Sequence, residues 1–273
     1  MRAKNLLVVL ALVLGAAIFM APMAQMLLTA LKTREEAQVS GPWTLPQKPT
    51  FENFSSVLFG ADLSFFRFFV NTAVIAILAT IGTVATSAMA AFAFARLKFR
   101  CRDRMFVLLL ATMMLPGVVT IIPSYMLFAS VGWVNTNLPL WVPAWLGGGA
   151  FNIFLLRQFL MGIPRELDEA AKLDGAGYFT LFWKILLPLT KPALATVGVF
   201  TFVGSWSDFL GPLIYLNDRE KMTLEMGLRT FQSVQTTQTH LLMAATLVTL
   251  LPIVVIFLLG QRYFVRGITL TGG

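Results

Sequence analysis

Six long apolar stretches separated by short polar segments set the plan of this chain. No charged residue falls between Leu6 and Leu31, between Phe68 and Ala95 (28 positions), or between Met105 and Leu156 (52 positions). A bilayer-spanning helix needs about 20 apolar residues. As one helix the longest stretch would extend roughly 78 Å, against a hydrocarbon core of about 30 Å. It must fold as two spans, and the turn-forming run SVGWVNTNLP at Ser130–Pro139 supplies the break. Pro188–Ser207 reads as a fifth span continuing past Asp208, and Leu241–Gln261 as a sixth. The pattern predicts an all-α, polytopic membrane bundle forming one domain over 1–273. Its spans lie near 6–30, 68–95, 105–129, 139–160, 188–214 and 241–262.

Composition agrees. The chain is 57% hydrophobic and 12% charged, with a mean hydropathy of +0.77. A soluble domain carries about 25% charge, so the charges here are too few to coat one, which argues against a soluble enzyme and against a disordered chain. Arg2 and Lys4 precede the first apolar run as they would in a signal peptide. That run outlasts the usual h-region of about 7–15 residues and no A-x-A site follows it, so it reads as a span.

The net charge of +8 is unevenly placed. With six spans both termini share a side. Fourteen of the 21 Lys and Arg residues fall on that side and seven on the other, which by the positive-inside rule puts both termini in the cytoplasm. The densest run is RLKFRCRDR at Arg96–Arg104. Two readings stay open for it: an anionic lipid or RNA patch, or a short loop that only locks topology, the second being the simpler. One cysteine, Cys101, and one histidine, His240, allow neither an internal disulfide nor a usual zinc ligand set. His240 reads more simply as capping a span than as a ligand.

The loop between spans four and five, 163–188, is the longest cytoplasmic one. Pro164 suits a first helical position, and Glu166, Asp168 and Glu169 follow in the first turns. Gly175 fits the residue just past a helix end. A second helix is expected from about Tyr178 into span five, with Phe179, Phe182 and Leu186 at helical spacing. Leu167, Ala170, Ala171 and Asp174 share one face of the first helix. Such a hairpin either presents a knob to a cytoplasmic partner or covers the end of the bundle.

Glu169-Ala170-Ala171, Gly175, Ile185, Leu187 and Pro188 reproduce at every spacing the signature E-A-A, three residues, G, nine residues, I-x-L-P. On these residues the chain resembles ABC-importer permeases. FENF at Phe51–Phe54, Asn71-Thr72, AFAFARLKF at Ala91–Phe99, MMLPGVVTIIPSYML at Met113–Leu127, GSWSDFLGPLIYL at Gly204–Leu216 and QRYFVRGITLTG at Gln261–Gly272 extend the likeness. It runs along the whole chain and falls in the carbohydrate-uptake branch, among smaller permease subunits of the MalG type. Two departures stand out. Ser207 replaces the family's frequent Asn in Trp206-Ser207-Asp208-Phe209, and the chain stops at Gly272-Gly273 where the family tail commonly adds a basic residue and a last glycine.

The resemblance implies an importer for a sugar, oligosaccharide or polyol-type solute in a bacterial inner membrane. This chain would pair with a second permease subunit, as a heterodimer, with two ATPase subunits and with an extracytoplasmic solute-binding protein. It would form half of the translocation path. Glu169, Ala170, Ala171, Asp174 and Gly175 would couple to the ATPase, with Ile185, Leu187 and Pro188 redirecting the second helix. No glycine is followed by lysine, so the chain lacks a Walker A loop and is not an ATPase. No cofactor, metal or nucleic acid is expected on it. ATP and Mg belong to the partner ATPase, and the remaining surface meets the lipid bilayer.

Asn71, Trp206, Ser207 and Asp208 are candidates for the translocation path, an ionisable residue at a span being a functional hypothesis by default. The alternative for Asp208 is a solvated span end, with Trp206 and Tyr215 as ordinary interfacial aromatics. The external loop 217–240, with Gln232, Gln235 and Gln238, corresponds to the segment that reaches the binding protein, or is a plain connector. Competing classes are a secondary transporter or channel without an ATPase, and an ABC importer for a non-sugar solute.

Overall fold

The computed structural model describes residues 2–60, 65–231 and 238–269. Among these residues all regular structure is helical. In chain order the α-helices are α1 (Arg2–Ala30), α2 (Arg34–Val39), α3 (Glu52–Phe59), α4 (Phe65–Arg96), α5 (Arg102–Thr112), α6 (Gly117–Ser130), α7 (Leu138–Trp141) and α8 (Ala150–Met161). They continue as α9 (Glu166–Leu173), α10 (Tyr178–Thr180), α11 (Leu187–Leu189), α12 (Lys191–Trp206), α13 (Leu210–Tyr215), α14 (Leu224–Thr230) and α15 (Thr239–Thr269). Four segments are long and apolar enough to cross a membrane: Leu6–Ala30, Phe65–Arg96, Leu138–Met161 and Thr239–Gln261. Counting each of two bent helix pairs as one span gives up to six among the described residues.

Those bends correct the continuous spans expected at 105–129 and 188–214. α5 and α6 meet at 98°. Pro116 sits just ahead of α6, and a proline lacks the N–H to continue a helix and pushes its predecessor out of helical geometry. Tyr178–Leu189 and Lys191–Trp206 meet at 76°, so the helix from Tyr178 does not run straight into span five. The fourth span is also interrupted, by Gly147-Gly148-Gly149 between a 3-10 turn (Val142–Trp145) and α8. Gly148 has φ +60° and lies so close to α4 that a Cβ would overlap the Ser87 hydroxyl. That hydroxyl donates to the Gly148 carbonyl at 3.0 Å.

The chain divides into two compact units. In the first, Met1–Phe69 with Thr223–Pro252, the end of α1 is closed by Asn53. Its amide donates to the carbonyls of Ala30 (2.7 Å) and Lys32 (2.8 Å), which gives the FENF segment a structural task. Lys32, a loop charge by sequence, is 1% exposed and donates to the Gly41 carbonyl and the Thr44 hydroxyl. α14 packs Gly227 onto the Phe65 and Phe68 rings.

In the second unit, Val70–Met222 with Ile253–Gly273, Ala88, Ala91 and Ala95 let α4 approach closely a core that includes Ile153, Leu156, Leu160, Leu181, Phe182, Leu186 and Val197. The turn after α6 is built on Asn135, at φ +61°. Its side-chain oxygen accepts the Asn217 and Asp218 N–H groups at 3.1 Å each, and its amide donates to Asp218 at 2.8 Å. The Lys221 ammonium and the Asn135 amide hold the Asp218 carboxyl below the usual carboxylate range. The tie is therefore intact at neutral pH and loosens as pH falls through that lowered value. Asn135→Ala removes three hydrogen bonds and places a Cβ-bearing apolar residue in the left-handed region. We expect a loss of about 2 kcal/mol, read as a lower melting temperature of the purified protein.

Candidate functional site

The loop carrying the Glu-Ala-Ala motif folds as α9, a tight turn and a bent second helix. Glu166, Asp168 and Glu169 fill the first turn of α9, where the helix dipole favours negative charge. Pro164 lies outside the helix, since Arg165 is its N-cap; its fixed φ helps the chain enter rather than form the first turn. At the other end Gly175 adopts φ +79°. Its N–H donates to Lys172 at 3.0 Å, and the Ala176 N–H donates to Ala171 at 2.9 Å. This paired closure satisfies two carbonyls of the last turn.

α9 has two faces. Asp168 and Ala171 are buried, whereas Leu167, Glu169, Ala170, Leu173, Asp174 and Gly175 are exposed. Ala171 thus packs into the chain's own core, so the face expected to carry Leu167, Ala170, Ala171 and Asp174 together is divided between the core and the surface. Leu173 is 90% exposed and Phe179 77%. Phe179 therefore does not share the inward face of Phe182 and Leu186, which are 7% and 0% exposed. Leu181–Leu186 forms a π-helical turn. Pro188, which cannot donate to the preceding turn, follows it. Ile185 and Leu187 are half-buried against the core. The bend falls at buried Thr190, whose hydroxyl donates to Leu186 at 2.7 Å.

Sequence reasoning missed the group that anchors this loop. Arg96, at the end of α4, lies 3.0 Å from the Asp168 carboxylate, with side chains 2% and 12% exposed, and also donates to the Ile163 carbonyl at 2.8 Å. The Arg96 Nε and Asp168 Oδ1 have no hydrogen-bond partner, so this is an ion-pair contact without an aligned Nε–H bond. Seventy-two positions separate the two residues, and no spacing rule connects them.

The four path candidates separate. Asp208 lies in the break between α12 and α13 and accepts the Gly211 N–H at 3.1 Å. It lines an open groove of about 390 Å³ with Asn152, Thr201, Ser205, Leu140 and Phe200. Ser207, at the end of α12, is exposed beside it. Trp206 is 2% exposed and stacks on Phe202 at 5.3 Å, so its ring is closed to a solute here, in correction of its place on the path. Asn71 donates to the carbonyls of Glu220 (2.9 Å) and Met222 (3.0 Å) and acts as a fastener. Tyr215 is buried against Tyr125 and Phe128. Gln232, Gln235 and the tail 270–273 lie outside the described residues. No cluster of three or more metal-ligating side chains occurs among the described residues.

Residues 82–270 match a family described as "Binding-protein-dependent transport system inner membrane component". A putative ABC transporter permease protein, ORF2, of Caldicellulosiruptor sp. is 35% identical over 246 residues, 90% of this chain and 88% of its own length. The melibiose/raffinose/stachyose import permease protein MelC of Bacillus subtilis is 30% identical over 272 residues, 98% of this chain and 96% of its own. A solved bacterial ABC transporter involved in the import of the acidic polysaccharide alginate superposes with a TM-score of 0.82 over 96% of this chain and 97% of that one. At 20% identity that match speaks to the fold. The chain shares its overall fold with that transporter subunit, and it belongs to the family of binding-protein-dependent inner-membrane permeases of ABC importers.

Proposed function

We propose that this chain is one of two permease subunits of an importer for a sugar, oligosaccharide or related polyol-type solute, and that α9 is its contact with a partner ATPase. The observation that carries the reading is the outward face of the motif loop. Leu173 near the end of α9 and Phe179 beyond the turn are exposed apolar residues, and Glu169, Ala170 and Asp174 are exposed along the same loop. Exposed apolar residues on a loop that also exposes acids suit insertion into a cleft of another protein. ATP and Mg would be held by that ATPase. The sugar assignment is supported by the similarity to MelC, a melibiose/raffinose/stachyose import permease, and by a groove whose lining offers an amide, two hydroxyls and a carboxylate. The Lys and Arg bias puts both termini, and the motif loop with them, in the cytoplasm.

Coupling would run through the anchor of α9. When the ATPase dimer closes, α9 is displaced, and Arg96–Asp168 carries the displacement to the end of α4. Two bundles of packed helices then exchange between inward-open and outward-open arrangements. The binding protein would deliver solute to the outward-open one.

The test is cross-linking. Ala170→Cys in a Cys101→Ser background should cross-link to the co-expressed ATPase subunit. Leu173→Arg should lower co-purification of that subunit and ATP-driven uptake by about tenfold or more, as expected for an apolar anchor at an interface, with unchanged membrane levels. Normal co-purification of Leu173→Arg together with no cross-link at position 170 would remove α9 from the interface.

A further inference from the structure

Four cations and one acid line an open basin of about 560 Å³ beside the α4–α5 turn: Lys98, Arg102, Arg104 and Arg165, with Asp103. Arg102 is engaged, its Nε 2.9 Å from Asp103. Lys98, Arg104 and Arg165 have no ion-pair partner among the described residues. Topology requires only that a loop hold lysines and arginines. It does not require that Arg165, from a loop some sixty residues further on, join the same basin. Three unpaired cations converging on one space repel one another, and an anion there would relieve that repulsion.

The surroundings restrict the anion. α5 leaves the basin as part of a bent span. Its Met105, Val107 and Leu108 are exposed, and Phe99 is exposed on the basin wall. A cationic basin at the foot of an apolar, outward-facing helix matches an amphiphile with an anionic head and hydrocarbon tails. A soluble polyanion would leave the apolar flank unused.

We propose that this basin binds the phosphodiester headgroup of an anionic lipid, with the acyl chains along α5. Arg165 is the N-cap of α9, so the headgroup bridges the α4–α5 turn to the base of the motif helix. It supplements the Arg96–Asp168 anchor, and anionic lipid content thereby tunes how rigidly α9 is held. The binding itself requires only that the chain lie in a membrane, not that α9 contact an ATPase.

The experiment uses the importer purified with its partner subunits, and native mass spectrometry to count retained lipid. Phosphatidylglycerol should be retained at least tenfold over phosphatidylcholine. A Lys98→Gln, Arg104→Gln, Arg165→Gln triple variant should lose roughly a hundredfold in phosphatidylglycerol affinity, from about fivefold per cation. A second variant, Arg104→Lys with Arg165→Lys, should keep most of the preference, which separates lost charge from a damaged fold. Equal retention of the two lipids by the wild type overturns the proposal, as does an unaltered preference in the triple variant. Protection by millimolar inorganic phosphate with no lipid preference also overturns it, in favour of a soluble-anion site.

Discussion

Gly175→Val will leave the protein in the membrane and reduce ATP-driven uptake at least tenfold. The cause lies in the backbone and not in crowding. No atom stands within 4 Å of where a Cβ would be, but φ is +79°, and a β-branched side chain in that region costs about 1–2 kcal/mol. α9 has only eight residues, far fewer than the ~12–15 at which an isolated helix becomes even marginal. The two hydrogen bonds that close its end at Gly175 and Ala176 are therefore a large part of what holds its last turn. Unwinding that turn moves Leu173 and Asp174, the residues we place against the ATPase. Gly175→Asn is the matched comparison, because asparagine visits the left-handed region readily. It should retain most uptake. If Asn fails as completely as Val, Gly175 is needed for close contact and not for its φ. Wild-type uptake with Val would remove the turn from coupling altogether.

The features that sequence made legible are those with a local cause. Apolar length gives the spans, and the glycine after an acidic-to-basic run gives the end of α9. The features it missed depend on residues distant in the chain or on competition between close alternatives. Pro116 lies within a run apolar enough to pass as one span, and only the geometry shows that the chain turns there by 98°. Phe179 lies in the first turn of its helix, ahead of the π-helical turn at Leu181–Leu186, and a 3.6-residue period does not show where along a face the core stops covering it. Trp206 next to an acid reads equally well as a solute platform or as core, since an aromatic ring suits both. Its stacking partner Phe202 decides for core. Arg96 reads as one more topology charge because its count, not its partner, is visible in sequence.

The second large effect concerns that partner. Asp168→Ala leaves the Arg96 guanidinium 2% exposed with no carboxylate beside it. Removing one member of a buried pair costs about 3–5 kcal/mol, most of it the uncompensated charge. We expect a markedly lower melting temperature of the purified permease and a severe loss of assembled transporter. Arg96→Met with Asp168→Leu removes both charges and fills similar volume. It should recover assembly to near wild type, because a buried pair exchanged for apolar side chains is often neutral or stabilising. The pair's worth in stability and its worth in coupling then separate. If the double variant assembles but transports poorly, the ion pair is the link through which α9 moves α4, since an apolar contact slides where a charge contact and the Arg96–Ile163 hydrogen bond hold direction. If it assembles and transports normally, packing alone carries the displacement, and Arg96–Asp168 serves only the fold. A single Asp168→Ala variant with wild-type stability would contradict the burial on which both alternatives rest.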